Sequence, residues 1–442
     1  MKTPIYDFVT AYAHREPLRL HMPGHKGIGD IEKYDITEIS GADSLYEADG
    51  IIARSEENAS ALFGARTFYS AEGSSLSIRA MLYLASLYSE SIGKPLRILA
   101  TRNAHKTFVS ACALLDAQLC WLPCRAHSYL GAGCTPGELE EILQKLDTPP
   151  TAVYLTSPDY LGQEADVFGF ARVCHRYRIL LLVDNAHGAY LRFLPSSRHP
   201  IDLGADMCCD SAHKTLPVLT GGAYLHLSHS APSILADNAR YALSLFGSTS
   251  PSYLILASLD RANAYLSSGY RERLGSFVAR LTELRLELAR IGYAFTGSEP
   301  CKLTLLAKEY GYTGYELGAL LEKQGIVPEF ADPDYLVLML TPEISSELPR
   351  LLKALGGIPK KPRITDTPPA LPDPVTVLSP RRALFAPTEW VDVDSSLGRL
   401  NGALTVGCPP AVPILTLGER ITRGAIAALH YYGVCRIKVV IE

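Results

Sequence analysis

Two short segments hold residues whose types and spacing could do chemistry. The first is the unbroken apolar run Ile179-Leu180-Leu181-Leu182-Val183, which ends in Asp184-Asn185-Ala186-His187-Gly188. About thirty residues later Ala205-Asp206-Met207-Cys208-Cys209 ends in Asp210-Ser211-Ala212-His213-Lys214. Each puts ionisable side chains directly after a short strand-like run, the carboxylate and imidazole of Asp184 and His187 in one case, the primary amine of Lys214 in the other.

The elements that must position these residues follow from the pattern. A fully apolar run bounded by turn residues suits a strand buried on both faces of a parallel sheet. The carboxyl ends of such strands are where open α/β sheets bind ligands. Arg66–Tyr69 reads as a strand end, followed by Gly73-Ser74-Ser75 and then by Leu76, Ile78, Met81, Leu82 and Ala85 at helical spacing. A Gly-Ser-Ser turn feeding a helix offers backbone N–H groups, hydroxyls and a positive dipole end, which together cradle a phosphate. Arg97–Thr101 is another strand, ending at His105, whose ring could lie flat on an aromatic ligand. Ser248-Thr249-Ser250 is a second hydroxyl-rich turn before a helix. Short strands alternate with helices over residues 66–230, which predicts a doubly wound, mostly parallel sheet with right-handed crossovers. Gly73–Ser75, His105, Asp184 and Lys214 then converge on one sheet edge. The working expectation is that Asp184 and Lys214 hold opposite ends of one pyridoxal phosphate ring.

The 442 residues suffice for two or three domains. The expected division is an arm over 1–35, a large cofactor-binding domain over 36–270, a small α+β domain over 271–360 and a carboxyl-terminal domain over 381–442. The stretch 357–380 is a proline-rich connector. A net charge of −4 gives no footprint for nucleic acid or an anionic membrane. The amino terminus lacks the apolar core of a signal peptide, and no apolar run nears the roughly 20 residues needed to span a bilayer. The ten cysteines lack the spacing of a zinc site, so no metal is expected, and they suit a reduced, cytoplasmic protein.

Taken together, these stretches resemble the ornithine/lysine/arginine decarboxylases of fold type I, in the short form without a receiver-like amino-terminal domain. The resemblance runs from Leu20-His21-Met22-Pro23-Gly24-His25-Lys26 to Pro409-Pro410. It includes Asp35-Ile36-Thr37-Glu38, Asp43-Ser44-Leu45, Arg102-Asn103-Ala104-His105-Lys106, Val183–Gly188, Ser211–Pro217 and Ser248–Tyr253. It implies a pyridoxal phosphate enzyme with a large α/β domain, a smaller α+β domain and a carboxyl-terminal domain. It further implies that Lys214 forms the internal Schiff base and Asp184 pairs with the pyridine nitrogen, while His105 stacks on the ring and His187 lies beside it. Gly73, Ser74, Ser75 and Ser211 would hold the phosphate, with Ser248 or Thr249 supplied by a partner subunit. His213 would contact phosphate or assist proton return. The loop His21–Lys26 would lie near a neighbouring active site, so a homodimer or larger homo-oligomer is implied. The implied reaction is decarboxylation of a basic amino acid by way of an external aldimine and a quinonoid, in polyamine biosynthesis.

Four departures from the family pattern bear on this. Asn185 stands where many members have Glu, and Glu72-Gly73 replaces Asn-Gly. Gly398-Arg399-Leu400-Asn401-Gly402-Ala403 lacks the usual final acid, and Gly407-Cys408-Pro409-Pro410-Ala411 replaces Pro-Tyr-Pro-Pro-Gly. Glu389, Asp392 and Asp394 could substitute for the acid missing at Ala403, or could form a solvated acidic surface. Arginine, lysine and ornithine remain open as substrates. An aminotransferase or aldolase of the same fold, or a non-catalytic protein that binds the cofactor, are the alternatives.

Overall fold

The computed structural model describes residues 1–123, 133–370, 373–406 and 412–441. A seven-stranded sheet is built from β1 (Arg66–Ser70), β2 (Arg97–Ala100), β3 (Gln118–Trp121), β4 (Ala152–Thr156), β5 (Leu180–Asp184), β6 (Met207–Asp210) and β7 (Ala223–Leu227). Its order is β1-β7-β6-β5-β4-β2-β3. β5 and β6 are parallel, as are β2 and β3, whereas β7 is antiparallel to both β6 and β1. The expected mostly parallel α/β sheet is therefore present, with β7 as its reversed strand. Every residue of β5, β6 and β7 is buried. Such burial on both faces demands the continuous apolar run seen in the sequence.

The helices in the first part of the chain are α1 (Pro4–His14), α2 (Ile51–Phe63), α3 (Gly73–Ser91), α4 (Lys106–Leu114), α5 (Pro136–Leu143), α6 (Val167–Arg176), α7 (Ala212–Thr215), α8 (Ser233–Asp237), α9 (Ala239–Ser244) and α10 (Tyr253–Leu266). The chain divides into two compact units. One comprises Met1–Leu96, Thr151–Val153 and Val167–Glu272, the other Arg97–Pro150, Tyr154–Asp166 and Arg273–Glu442. Among the described residues no helix is long and apolar enough to cross a membrane.

In the first unit, α1 buries Ile5, Val9 and Ala13, spaced four apart on one face. Its amino-terminal N–H groups are met from α10, since Asp260 Oδ2 accepts from Ile5 N at 2.8 Å and Tyr6 N at 3.0 Å. Asp260 Oδ1 accepts the Ser55 hydroxyl at 2.6 Å, so one carboxylate ties α1, α2 and α10 together. Burial pushes the Asp260 carboxyl up to about 6. A raised acid keeps its proton longer in the folded chain, so its contribution to stability is complete below the ordinary value near 3.8 and is lost as pH rises through about 6. Asp260→Asn is expected to flatten this part of the stability profile. Melting curves from pH 4 to 7 test it, and an unchanged slope would dissociate Asp260 from the effect.

In the second unit, β8 (Phe295–Thr296), β9 (Lys302–Leu306), β10 (Phe330–Ala331) and β11 (Tyr335–Met339) form an antiparallel sheet in the order β10-β11-β9-β8. Further on, β12 (Thr388–Asp392), β13 (Thr405–Val406), β14 (Leu415–Thr416) and β15 (Arg436–Val440) pair as β12 with β15 and β13 with β14. A buried ion pair joins this region to the end of β2. Arg102 Nη1 lies 2.6 Å from Glu419 Oε1 and Nη2 lies 2.8 Å from Oε2, with both side chains at most 2% exposed. Arg102 Nη2 also donates to Ile414 O at 3.2 Å, and Glu419 Oε2 accepts the Thr416 N–H at 2.8 Å. This bidentate geometry satisfies two charges that would otherwise be costly to bury.

Candidate active site

Most of the predicted site lies in the first unit, where the sheet registers bring four chain segments to one edge. Asp184 on β5 is opposite Cys209 on β6, Asp210 is opposite Tyr224 on β7, and Ala223 is opposite Ser70 on β1. Because β1, β5 and β6 point the same way, Gly73 and Lys214 follow strand ends on the edge where Asp184, the last residue of β5 rather than the first after it, also lies.

The lysine is held by a short return. β6 leads into the single turn α7 and back along β7, and both the backbone N–H and Nδ1 of His213 contact Gly222 O, at 3.1 and 2.9 Å. Lys214 Nζ lies 2.9 Å from His187 Nε2. An imidazole at that distance from an amine can accept or return its proton.

Asp184 is buried. Its Oδ1 accepts the Ala186 N–H at 3.1 Å and the Cys209 thiol at 3.6 Å. Burial pushes the Cys209 thiol well above its ordinary range, so it remains S–H and donates. Asn185, where many members of the family have Glu, turns to the other face of the sheet and donates Nδ2 to Asp210 Oδ1 at 2.6 Å. The turn is closed by Gly188 N to Asn185 O at 2.8 Å.

A Cβ on Gly188 would stand 2.0 Å from Asn185 Oδ1 and 2.8 Å from Leu191 Cδ1. Gly188→Ala is therefore expected to destabilise the fold by about 1–3 kcal/mol through overpacking and to weaken cofactor retention. Thermal melting and absorbance titration with pyridoxal phosphate check it. A variant matching the wild type in both would remove the turn from the site's architecture.

At the Gly-Ser-Ser turn, Gly73 has φ +70°, a conformation that favours glycine, and gives its N–H to Gly221 O at 2.7 Å. Gly73 thus shapes the turn, while α3 begins with the hydroxyls of Ser74 and Ser75. Ser211 Oγ donates to Ser74 Oγ at 2.8 Å, which joins the two hydroxyl-bearing segments. Glu72, another departure from the family, accepts the Ser248 N–H and so ties this turn to the exposed Ser248-Thr249 loop.

His105 belongs to the second unit. It is exposed and caps α4, its Nδ1 accepting the Thr107 N–H at 3.3 Å and lying 3.0 Å from Thr107 Oγ1. Ala403, also in that unit, exchanges backbone hydrogen bonds with the buried Asn401 side chain. Of the three acids considered beside it, Glu389 is ion-paired with Arg399 at 2.7 Å and Asp394 with His430 at 2.8 Å. Asp392 is 79% exposed. They fit the solvated surface reading. Residues 407–411, the last of the departures, lie outside the described residues.

Sequence reasoning missed the roles of two residues. Asp43, quoted only as part of a motif, accepts N–H groups from Ser44, Asp49, Gly50, Ile52 and Ala53 and so caps α2. Asp210, expected to follow its strand, is instead the buried last residue of β6, hydrogen-bonded to His199, His226 and Asn185.

Comparison with known proteins bears on what this edge does. The family model for the Orn/Lys/Arg decarboxylase major domain matches residues 3–299. An uncharacterized protein of Bacillus subtilis, YaaO, is 32% identical over 97% of this chain and 94% of its own. The arginine decarboxylase of Halalkalibacterium halodurans is 31% identical over 97% and 93%. Among solved structures, the Francisella novicida lysine decarboxylase LdcF aligns with a TM-score of 0.77 at 18% identity, covering 99% of this chain and 81% of that one.

Proposed function

Because the chain belongs to the Orn/Lys/Arg decarboxylase family, and is an amino acid decarboxylase that works with pyridoxal phosphate, we propose that its substrate is a basic amino acid, arginine ahead of lysine and ornithine. The observation that carries the reading is the 2.9 Å approach of Lys214 Nζ to His187 Nε2, beside the turn that bears Asp184. The preference for arginine rests on the relatives, several of which are named arginine decarboxylases and match over more than nine-tenths of this chain.

The donor set fits the cofactor: a primary amine, a buried carboxylate and a hydroxyl-lined turn at a helix amino terminus lie on one edge. When bound, pyridoxal phosphate supplies an electron sink for the pair left on the α-carbon as carbon dioxide departs. Lys214 would hold the cofactor through its amine, and His187 Nε2, 2.9 Å from Lys214 Nζ, would take or return the proton there. Asp184, its orientation held by the Ala186 N–H and the Cys209 thiol, would pair with the ring nitrogen. Ser74, Ser75 and Ser211 would hold the phosphate at the start of α3, on the turn that Gly73 shapes. His213, with Nδ1 directed at Gly222 O, offers Nε2 to the phosphate or to the returning proton.

The active form in this reading is a homodimer. The arm exposes Leu18, Leu20, Met22, Ile28 and Ile31, each more than 60% accessible, an apolar group that calls for cover. The exposed Ser248 and Thr249 would then complete the phosphate site of the partner. The eight described cysteines form no disulfide, which suits a reducing cytoplasm, and the product amines would feed polyamine synthesis.

The test is to load the purified protein with pyridoxal phosphate and offer arginine, lysine, ornithine and a set of neutral and acidic amino acids, measuring carbon dioxide and amine. Arginine is expected to give both at the highest kcat/KM. Preferential turnover of a neutral or acidic amino acid would overturn the substrate class. A keto acid formed only with an acceptor would point to transamination, and silence across the panel to a non-catalytic binder.

A further inference from the structure

Behind the Asp184–His187 turn lies a polar group that the reaction itself does not use. Asp210 Oδ1 accepts Asn185 Nδ2 at 2.6 Å, and Oδ2 accepts from His199 Nε2 at 3.0 Å and His226 Nε2 at 3.2 Å. All four residues have no accessible surface. Burial alone would raise the Asp210 carboxyl, but the two imidazoles overcome it and hold the group well below the ordinary carboxylate range. Burial likewise lowers His226, which stays neutral, donates Nε2–H to Asp210 and accepts at Nδ1 from the Thr67 hydroxyl at 2.9 Å. Asp210 is thus an ionised acceptor ringed by three donors.

One of those donors leads to the reacting edge. Asn185 separates Asp184 from the Ala186-His187 pair, and its backbone N–H bonds Cys209 O at 3.0 Å. With Nδ2 committed to Asp210, Oδ1 is aimed over Gly188, on the spot that a Cβ there would need. The amide has one orientation, and the turn is wrapped around it. Strand alternation makes this possible: Asp184 faces one side of the sheet and Asn185 the other, so the group can fix the turn without touching the ring.

We propose that Asp210 is a positioning residue, whose carboxylate fixes the Asn185 amide and through it the aim of Asp184 and His187 at the cofactor. The inference rests on the reading of Asp184, His187 and Lys214 as cofactor contacts. It requires that the acceptor at 210 be matched to the donor at 185, which isosteric changes can probe. In Asp210→Asn, if the new amide keeps its oxygen toward Asn185, its nitrogen faces two imidazole N–H groups. If it turns instead, Asn185 must turn too and disturb the Gly188 contact. Asn185→Asp sets two carboxylates against each other. The double variant Asn185→Asp/Asp210→Asn restores every pair in reverse. The carboxylate now at position 185 accepts from the amide nitrogen now at position 210, and that amide's oxygen accepts from both histidines.

The experiment measures pyridoxal phosphate affinity and the visible absorbance maximum of the bound cofactor in wild type, both single variants and the double variant, with melting of each cofactor-free protein alongside. Each single change is expected to weaken affinity about tenfold or more and to shift the maximum, as a buried mispaired polar group would. The double variant should return to within about threefold of wild type with its maximum restored. Wild-type affinity and spectrum in Asp210→Asn, or a double variant no better than the singles, would overturn the proposal. Should neither single variant fold, a double variant that folds and binds supports it, and one that does not fold overturns it. Absence of any visible band in the wild type would instead strike the underlying reading of Lys214.

Discussion

Lys214→Ala is expected to lower carbon dioxide release by on the order of 10⁴-fold or more, the scale seen when a covalent nucleophile is deleted. In the proposed reading the amine joins the cofactor to the protein and exchanges with the substrate amine, and the nearby His187 has no means of replacing a primary amine. The fold should survive, because Lys214 lies in a turn whose closing contacts are made by the His213 backbone and ring with Gly222. The variant should therefore melt near the wild type, and any cofactor it retains should be released on denaturation without reduction of an imine. A Lys214→Ala protein that decarboxylates at the wild-type rate would sink the assignment of this edge as the active site.

The largest effect on stability is expected at the Arg102–Glu419 pair. Glu419→Ala leaves a guanidinium buried at 2% exposure without its counter-charge and strips the Thr416 N–H of its acceptor. Removing one member of a buried pair costs about 3–5 kcal/mol. The melting transition should drop sharply, and Arg102→Ala should do the same from the other side. The pair itself is not a large net stabiliser, so Arg102→Met/Glu419→Leu should recover much of the loss. If Glu419→Ala melts like the wild type, the carboxylate is not balancing Arg102.

Both residues of that pair were present in the sequence, yet only Arg102 drew notice, as part of a motif. More than three hundred positions separate them, and no local pattern links an arginine after one strand to a glutamate beyond another. The same limit explains Asp210: His226 reaches it because β7 runs back along β6 with Cys208 opposite His226, which puts Asp210 and His226 on one face. Such pairing is a property of register. Features set by neighbours in the chain were legible. The Leu-rich run before Asp184 announced a doubly buried strand, and β5 is buried along its whole length. The arm is the counterexample. In the sequence it reads only as an arm, because its buried stripe is just Ile5, Val9 and Ala13, and the carboxylate that anchors its first turn sits on α10, about 250 residues away.

The reversed strand β7 has a consequence for how the site assembles during folding. Parallel neighbours such as β5 and β6 must wait for a crossover to close, whereas β6 and β7 are joined by a return of a dozen residues and can pair early at little entropic cost. Lys214 rides on that local return. The proposed covalent anchor is thus expected to take shape before the distant segments proposed to hold ring and phosphate are docked around it, giving a newly made chain a nascent hairpin on which the rest of the pocket condenses.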